Sequence, residues 1–519
     1  MNGLVPLLVL IPLLGAASAL ILGKRPNAQR LVTLVALSLV LVIGAILLVV
    51  VDNGQPLMVS VGGWAPPFGI VLVVDRLTAL MVVVSAAVLL AVLVFSIGQG
   101  LADGHDETPV SIYYPTYLIL ATGVFTAFIA GDLFNLYVGF EILLVSSYVL
   151  ITLGGTEARI RAGVTYIVVS LVSSMFFLAS IAMIYAAVGT VNIAQISERM
   201  ADVPADVQNV LHVMLLIGFC IKAAVFPLSF WLPDSYPTAP APVTAVFAGL
   251  LTKVGVYSII RTETIIFPGP DLNPALMVIA LLTMVVGVLG AVAQADIKRL
   301  LSFTLVSHIG YMILGVALGS AAGTGAAIYY IVHHIIVQTT LFLAAGLIER
   351  QGGSTSINKL GGLLAASPVI AVLFLVPALN LGGIPPFSGF IGKLALFEAS
   401  AAQGTPLAYI LIAGGAIVSL LTLYALVRVW NLAFWRSADE VEGYESDLLA
   451  NVTEAPHGSP VTESRSTPKL MIGATAGMVV VGLALTVFAG PLFAIASRAG
   501  ENLETPAAYT DIVFPGAGK

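Results

Sequence analysis

The chain has 519 residues, of which 59% are hydrophobic and 9% are charged, and its formal net charge is −6. Soluble domains carry about 25% charged residues, so this composition excludes a soluble globular protein and predicts an all-α polytopic membrane protein. The apolar segments are continuous over about 20 residues, whereas the strands of a membrane β-barrel are shorter and alternate. The sequence contains no basic patch of the kind that binds nucleic acid, so a nucleic-acid partner is not expected.

Apolar segments along the chain predict about fourteen transmembrane helices. They fall at 4–22, 31–51, 77–97, 113–131, 133–153, 163–188, 208–231, 241–260, 274–293, 299–319, 326–348, 366–402, 407–430 and 470–494. The first segment could pass for a signal peptide, but Lys24 and Arg25 follow it and no basic residue precedes it. We therefore expect it to be a transmembrane helix whose N-terminus lies outside.

The connecting loops differ in basic charge. Loops after odd-numbered segments contain twelve Lys and Arg residues, whereas loops after even-numbered segments contain three. Basic loops face the cytoplasm. The sequence thus predicts that the odd-numbered loops are cytoplasmic and that both termini lie outside.

Prolines break the seventh and twelfth segments. Pro227 lies within 208–231, and Pro385 and Pro386 interrupt 366–402, which is too long for one straight crossing. Paired broken helices form the ion site in many transporters that are built from inverted repeats. The alternative is that these prolines only kink their helices. The functional interpretation is favoured because an intramembrane lysine lies close to each break.

Four ionisable residues lie deep inside apolar segments: Glu141, Lys222, Lys253 and Lys393. Each charge at a bilayer centre costs about 2.5–3.5 kcal/mol, so such residues are usually functional. Glu141 is the only carboxylate near the middle of any segment, and Lys222 is its candidate partner. A Glu–Lys pair can switch when a proton arrives, although a static buried salt bridge is the alternative. Lys253 has no nearby acid in sequence and is a candidate proton carrier.

Segments ten and eleven carry the intramembrane histidines. His308 shares a helix face with Thr304 and Tyr311, and His334 lies one turn from Gln338. Histidine relays protons near physiological pH, but a single membrane histidine can instead hydrogen-bond two helices together. We expect His334 to relay protons. For His308 the relay role and the helix-joining role both remain open. His333 is turned about 100° around the helix from His334, and we expect it to serve packing.

Other features limit the chemistry of the chain. Asp132, Asp234, Asp296 and Glu398 lie near segment ends, where capping or interfacial roles are expected. Cys220 is the single cysteine, so this chain alone cannot hold an iron–sulfur cluster. The sequence contains no nucleotide-binding or HExxH motif. No cofactor and no metal site are predicted, and energy must come from ion gradients or from partners.

Four stretches resemble the proton-conducting membrane subunits shared by respiratory complex I, membrane-bound hydrogenases and Mrp-type cation/proton antiporters. They are NLYVGFEILLVSSY, KAAVFPLSFWLPDSYPTAPAPVTAVFAGLLTKVGVYSIIR, ADIKRLLSFTLVSHIGYMILG and GGIPPFSGFIGKLALFEA. The resemblance covers roughly residues 70–430. Within this superfamily the sequence is most similar to the D-type subunits of multisubunit Mrp Na⁺/H⁺ antiporters, because its broken twelfth segment carries a lysine and a long lateral helix is absent.

This resemblance implies roles for individual residues. Glu141 and Lys222 match the glutamate–lysine pair of the family, Lys253 its central lysine, His334 a linking histidine and Lys393 the terminal lysine. Many relatives carry a lysine where this chain has Gln338, which can order water but cannot carry charge.

The resemblance also implies an architecture of two inverted five-helix repeats. The expected divisions are helices 1–3 at 1–112, a first repeat at 113–260, a second at 274–430, a cytoplasmic polar linker at 431–468 and a terminal helix with its tail at 469–519.

The expected function is a proton-translocating subunit of a multisubunit Na⁺/H⁺ antiporter, and not an enzyme. Protons would pass Lys222, Lys253, His334 and Lys393 through ordered water while Na⁺ is exported. Expected partners are other membrane subunits and the lipid bilayer, with H⁺ and Na⁺ as substrates, in the plasma membrane of a bacterium. Two alternatives are a proton-pumping subunit of a redox-driven complex and a membrane scaffold without its own ion path.

Overall fold

The computed structural model of the chain describes residues 1–100, 110–441 and 467–514. Helices dominate all three stretches. The first part contains α1 (Leu7–Ile21), α2 (Pro26–Asn53), α3 (Arg76–Gln99), α4 (Val110–Ile129), α5 (Leu133–Thr152), α6 (Glu157–Val188), α7 (Ile193–Met200) and α8 (Ala205–Ala223). A two-stranded antiparallel sheet of β1 (Leu57–Ser60) and β2 (Val71–Val74) lies between α2 and α3.

The rest of the chain adds thirteen helices within the described residues. They are α9 (Leu232–Ser235), α10 (Ala241–Val246), α11 (Thr252–Arg261), α12 (Asn273–Ala293), α13 (Ile297–Ala317), α14 (Ala321–Gly352), α15 (Leu363–Ala366), α16 (Pro368–Gly382), α17 (Ser388–Gln403), α18 (Pro406–Val429), α19 (Lys469–Val487), α20 (Ala489–Leu503) and α21 (Pro506–Val513). Most of the predicted linker, residues 442–466, lies outside the described residues.

The number of membrane crossings agrees with the sequence prediction. Thirteen helices in the described residues are long and apolar enough to span a membrane. The shorter helices α16 and α17 together make the broken fourteenth crossing, which occupies the twelfth position in the chain. The prediction of about fourteen transmembrane helices is therefore confirmed.

Both predicted helix breaks are present. Helix α8 ends at Ala223, the next residue Ala224 has φ of 58°, and Pro227 follows. Helix α16 ends at Gly382, and α17 begins only after the two prolines. A proline cannot donate a backbone hydrogen bond and crowds the carbonyl four residues earlier. The chain therefore changes direction where each lysine-bearing segment passes through the protein.

Burial divides the helices into a centre and a periphery. The segment Ala241–Ile266 is buried throughout, α14 is buried from Gly323 to Ile348 and α13 nearly throughout, whereas α1, α2, α18 and α19 expose apolar faces. A helix that is apolar all round belongs in the interior, and exposed apolar faces suit lipid. The elements that carry Lys253, His308 and His334 thus form the centre of the protein.

Two loops in the two halves of the chain have the same hydrogen-bond pattern. The amide of Leu133 donates to the carbonyl of Val191 at 2.9 Å, and 164 residues further along the chain Ile297 donates to Thr355, also at 2.9 Å. Each bond joins the start of one long helix to the loop that follows the next long helix in the chain. The five-helix repeats stay a prediction, which this recurrence supports.

The prediction of a single terminal helix over 470–494 is wrong. Helix α19 ends at Val487, and a separate helix, α20, continues to Leu503. Pro491 explains the break, because its ring crowds the carbonyl of Val487 four residues earlier. Helix α20 is fixed by Arg498, whose guanidinium lies 2.7 Å from Asp52 at the end of α2.

Candidate functional site

Glu141 and Lys222 are connected through a serine hydroxyl. Ser174 on α6 donates a hydrogen bond to the Glu141 carboxylate and accepts one from the Lys222 ammonium at 2.9 Å. Lys222 also donates to the carbonyl of Ser170 at 3.4 Å. The structure thus brings Glu141, Ser174 and Lys222 together from α5, α6 and α8, with the serine hydroxyl between the two ionisable groups. The hydroxyl can exchange its donor and acceptor roles as the charges change.

Sequence reasoning missed Ser174. Ser170 and Ser174 lie one helical turn apart on α6, on the face toward Lys222. That spacing was the available signal, but serines are common at contacts between membrane helices and rarely identify a site.

Lys253 lies at the start of α11, directly after a wide helical turn over Phe247–Leu251. Its ammonium is fully buried and donates to the carbonyl of Ala248 at 2.6 Å. Turns of this π type recur at functional sites. Gly255 allows α11 to approach α8 closely, since a Cβ there would lie within about 3 Å of the Ala223 backbone. Lys253 is thus held against the helix that carries Lys222.

The histidines of α13 and α14 form one buried cluster. The rings of His308 and His334 have centroids 5.2 Å apart, and His308 Nδ1 lies 2.6 Å from the Tyr330 hydroxyl. Within the described residues, His308 Nε2 and both ring nitrogens of His334 have no protein hydrogen-bond partner. Buried polar atoms normally bind protein groups or ordered water. The cluster therefore has free nitrogens that suit proton relay through water.

Gln338 lies one turn beyond His334 and is fixed by a single hydrogen bond. Its Nε2 donates to the carbonyl of Leu301 at 2.7 Å, while its Oε1 has no protein partner among the described residues. The amide oxygen can accept a hydrogen bond from water. The role of Gln338 in ordering water beside His334 stays a prediction, which the free amide oxygen supports.

His333 has a contact beyond the packing that the sequence suggested. Its Nδ1 lies 3.0 Å from the hydroxyl of Ser388, the first residue of α17, and that hydroxyl also donates to Asn380 of α16 at 3.2 Å. His333 therefore contacts α17 directly and is linked to α16 through the Ser388 hydroxyl. The start of α17, which sequence alone does not fix, determines this contact.

Lys393 lies on α17 near the break. Its ammonium donates to the carbonyl of Leu381 at 3.0 Å and to the Ser419 hydroxyl at 2.8 Å, and it lies 5.2 Å from the centre of the Tyr311 ring. The Tyr311 ring is in turn 5.6 Å from that of His308. The carbonyl at the end of α16 and a ring of the histidine-bearing helix thus both contact Lys393.

The three lysines share one electrostatic property. Among the described residues, none of their ammonium groups lies within 4.0 Å of a carboxylate oxygen. Their partners are hydroxyls, backbone carbonyls and aromatic faces. A group of three or more His, Cys, Asp or Glu side chains that could hold a metal ion is also absent from the described part of the chain.

The acidic residues near helix ends fulfil the expected structural roles where they cap helices. Asp132 accepts from the Asn135 amide at 2.6 Å as the N-cap of α5, and Asp296 caps α13 in the same way. Burial raises the pKa of Asp132 to about 6. Asp75 differs: burial would raise its pKa, but the Arg261 guanidinium, 2.6 Å away, holds it below its usual value.

Comparisons with known proteins identify similar membrane subunits. The family described as NADH:quinone oxidoreductase/Mrp antiporter, TM matches residues 130–422. The D-type subunit of a Na⁺/H⁺ antiporter from Alkalihalophilus pseudofirmus is 40% identical over 446 residues, which cover 85% of this chain and 89% of that one.

Solved structures extend the similarity to almost the whole chain. A chain of the Mrp complex from Dietzia sp. matches with a TM-score of 0.87 and 32% identity, covering 99% of this chain and 100% of that one. A chain of an archaeal membrane-bound sulfane sulfur reductase, a respiratory membrane complex, matches with a TM-score of 0.86 and 25% identity, covering 98% and 99%.

Proposed function

Because this chain belongs to the NADH:quinone oxidoreductase/Mrp antiporter family of membrane subunits, we propose that it is the proton-translocating D-type subunit of a multisubunit Na⁺/H⁺ antiporter. It acts as a transporter subunit and not as an enzyme. The name of its A. pseudofirmus relative and the similarity to the Dietzia Mrp complex support this function. Its partners are then the other membrane subunits of that complex, and its substrates are H⁺ and Na⁺.

The buried lysines without direct carboxylate partners are the observation that carries the mechanism. Lys222, Lys253 and Lys393 are each at least nine-tenths buried, and an ammonium at such a depth is costly unless its charge is compensated. Neutral hydroxyls and carbonyls compensate less than a carboxylate does. Each lysine can therefore lose its proton to water or to a neighbouring base.

The order of the groups defines a lateral path. Glu141 and Ser174 set the charge of Lys222, Lys253 follows on the adjacent helix, and the histidines lie between Lys253 and Lys393. A proton moves along this path through ordered water and through the free nitrogens of His334. Proton influx yields about 2.3 kcal/mol per charge per 100 mV, which is available to drive Na⁺ export.

Substitution of the charged residues tests this function. In everted vesicles that contain the whole complex, Glu141→Gln or Lys222→Ala should abolish Na⁺-dependent ΔpH changes, because the first proton site is lost. Glu398→Gln is the matched control, since Glu398 is exposed. Co-purification of the other subunits shows that the complex assembles. Normal exchange in both site variants would rule out this function.

The second candidate function is proton pumping in a redox-driven complex. The similarity to the sulfane sulfur reductase chain favours it. The single cysteine means that iron–sulfur clusters would have to come from partner subunits. Purification of the native complex separates the two functions, because co-purifying redox subunits would support this candidate and several small hydrophobic subunits would support antiport.

We further propose that the chain lies in the bacterial plasma membrane with both termini outside. The excess of Lys and Arg in the odd-numbered loops supports this orientation. The side of the membrane that holds the loops after even-numbered segments is then the outer side.

A further inference from the structure

A histidine–glutamate pair joins the ends of two lysine-bearing helices. His212 Nε2 lies 2.6 Å from Glu263 Oε1, and both side chains are more than nine-tenths buried. His212 precedes Lys222 by ten residues on α8, and Glu263 follows Lys253 by ten residues, in the wide turn that extends α11. At 1.5 Å per residue, each member of the pair lies about 15 Å from the lysine on its own helix.

A cavity on the outer side reaches this pair. Its volume is about 180 Å³, and His212 forms part of its wall. Asn209 and Asp271 also line the cavity and are exposed at the protein surface. One water molecule needs roughly 15 Å³ of such volume. Water from the outer side can therefore reach the imidazole.

Several ionisable side chains lie on the elements that pack against this pair. The elements packed against it carry these other ionisable side chains: Asp206, Cys220 and Lys222 on α8, Glu157, Arg159, Arg161, Tyr166 and Tyr185 on α6, Glu198 and Arg199 on α7, Lys253, Tyr257 and Arg261 on α11, Asp271 in the turn before α12, and Tyr509 and Asp511 on α21. Arg261 is engaged by Asp75 at 2.6 Å. The Phe267 ring stacks on the imidazole at 4.5 Å and fixes its plane.

We propose that His212 and Glu263 form the outer proton-exchange site that connects outside water with Lys222 and Lys253. This inference rests on the proposed antiport function. A hydronium ion in the cavity gives its proton to His212 and becomes water, and the Glu263 carboxylate balances the imidazolium charge. Release of the same proton inwards restores the pair.

Buried hydroxyls lie along the route from Glu263 inwards to Lys253. Thr262 and Ser258 lie between Glu263 and Lys253, and they donate to the carbonyls of Ser258 and Val254 at 2.8 and 2.9 Å. Each hydroxyl oxygen retains acceptor capacity for water. A proton that passes from His212 to Glu263 across their 2.6 Å contact can therefore leave along this stretch of α11.

His212→Gln and Glu263→Gln test the site in the assembled complex. Each replacement keeps a hydrogen-bonding group but removes titration. We expect Na⁺-driven exchange in everted vesicles, whose lumen corresponds to the cell exterior, to fall about tenfold or more. Its dependence on luminal pH should flatten, and the double variant should be no slower than either single one. Asp206→Asn, at an exposed position on α8 that does not line the cavity, is the control and should keep the wild-type profile.

Wild-type rates and pH profiles in both variants would overturn the proposal, while antiport itself stands if Lys222→Ala still abolishes exchange. If the variants do not assemble, a cysteine at the cavity mouth provides the test. In Cys220→Ser protein, Asn209→Cys is labelled on intact cells with a membrane-impermeant maleimide before everted vesicles are prepared. Blocked exchange supports the site, and undiminished exchange after complete labelling contradicts it.

Discussion

The partners of the three buried lysines differ in kind, and this difference bears on how each binds a proton. Lys222 contacts a hydroxyl that also binds a carboxylate, whereas Lys253 contacts a carbonyl in the wide turn before α11. A carbonyl only accepts hydrogen bonds, while a hydroxyl also donates them. Ser174 can therefore serve Lys222 in both of its protonation states, and Ala248 serves Lys253 only when the amine donates.

Ser174→Ala should reduce Na⁺/H⁺ exchange by about tenfold or more, because it removes a hydrogen bond to two charged groups, worth about 1.5–3 kcal/mol. Ser174→Thr should restore most of the rate, since it keeps the hydroxyl. Ser173→Ala is the matched control: the neighbouring hydroxyl binds only the carbonyl of Gly218 at 2.9 Å. Initial rates in everted vesicles provide the measurement. Equal rates in the two alanine variants would show that Ser174 has no special role.

Asp132 gives the complex a pH-dependent stability. Burial raises its pKa to about 6 from an ordinary value of 3.8, so the folded protein holds this proton more tightly than the unfolded chain does. Its contribution to stability is therefore present below pH 4, declines between about pH 4 and pH 6, and is lost above. A difference of about two pKa units corresponds to at most about 3 kcal/mol.

Asp132→Asn, which keeps an acceptor for the Asn135 amide, should therefore raise the thermal unfolding temperature at pH 7.5 more than at pH 4.5. Unfolding of the purified complex, followed at both pH values, measures this difference. Glu398→Gln, an exposed position, should show no such dependence on pH. A lower unfolding temperature for Asp132→Asn at pH 7.5 would contradict the prediction.

Sequence alone could predict those site residues whose side chains are energetically costly to bury in a membrane segment. A charge in an apolar segment is conspicuous, so Glu141 and the lysines could be identified from sequence alone. Ser174 and Ser419 could not, because a hydroxyl costs little in a membrane helix and recurs throughout such proteins. Similarly, the contact of His333 depends on where α17 begins, which sequence patterns locate only to within a few residues.

At the scale of elements, the break between α16 and α17 positions Lys393. Gly383 follows α16 with φ of 81°, and a Cβ at this residue would lie 3.1 Å from Lys393 Nζ. Gly404 follows α17 with φ of 66°, and a Cβ there would have no neighbour within 4 Å. The two glycines thus have similar backbone conformations, but only one is next to the site.

Gly383→Ala should impair exchange strongly, whereas Gly404→Ala should affect mainly stability. Both substitutions carry the cost of a left-handed conformation, about 1–2 kcal/mol, but only the first displaces the Lys393 ammonium. Exchange rates per assembled complex, with thermal unfolding measured in parallel, separate the two effects. Similar exchange rates in both variants would show that the break does not position Lys393.

Element boundaries were predictable where proline determines them. Pro227 and the Pro385–Pro386 pair identified both breaks, because a proline inside a helix removes a hydrogen bond and adds a clash. The same rule applied to Pro491 would have separated α19 from α20, but the continuous apolar pattern masked the break. The wide turn beside Lys253 has no sequence signature, since it depends on tertiary packing around a fully buried segment.

At the scale of the whole molecule, the central helices keep the proton path away from lipid. Helix α14 carries His333, His334 and Gln338 and is buried from Gly323 to Ile348, while peripheral helices expose apolar faces to the bilayer. A lateral path of this kind needs access to water on both sides of the membrane. The orientation of the chain therefore decides which end of the path receives protons from outside.

Cysteine accessibility determines that orientation directly. The positive-inside rule predicts that Asn358, exposed in a basic loop, is cytoplasmic and that Glu501, exposed on α20, is external. In Cys220→Ser protein, which has no other cysteine, Asn358→Cys should react with an impermeant maleimide only in everted vesicles. Glu501→Cys should react only in intact cells. The reverse pattern would place the cavity at His212 on the cytoplasmic side, and the proton-exchange site proposed there would then serve proton release during Na⁺ export.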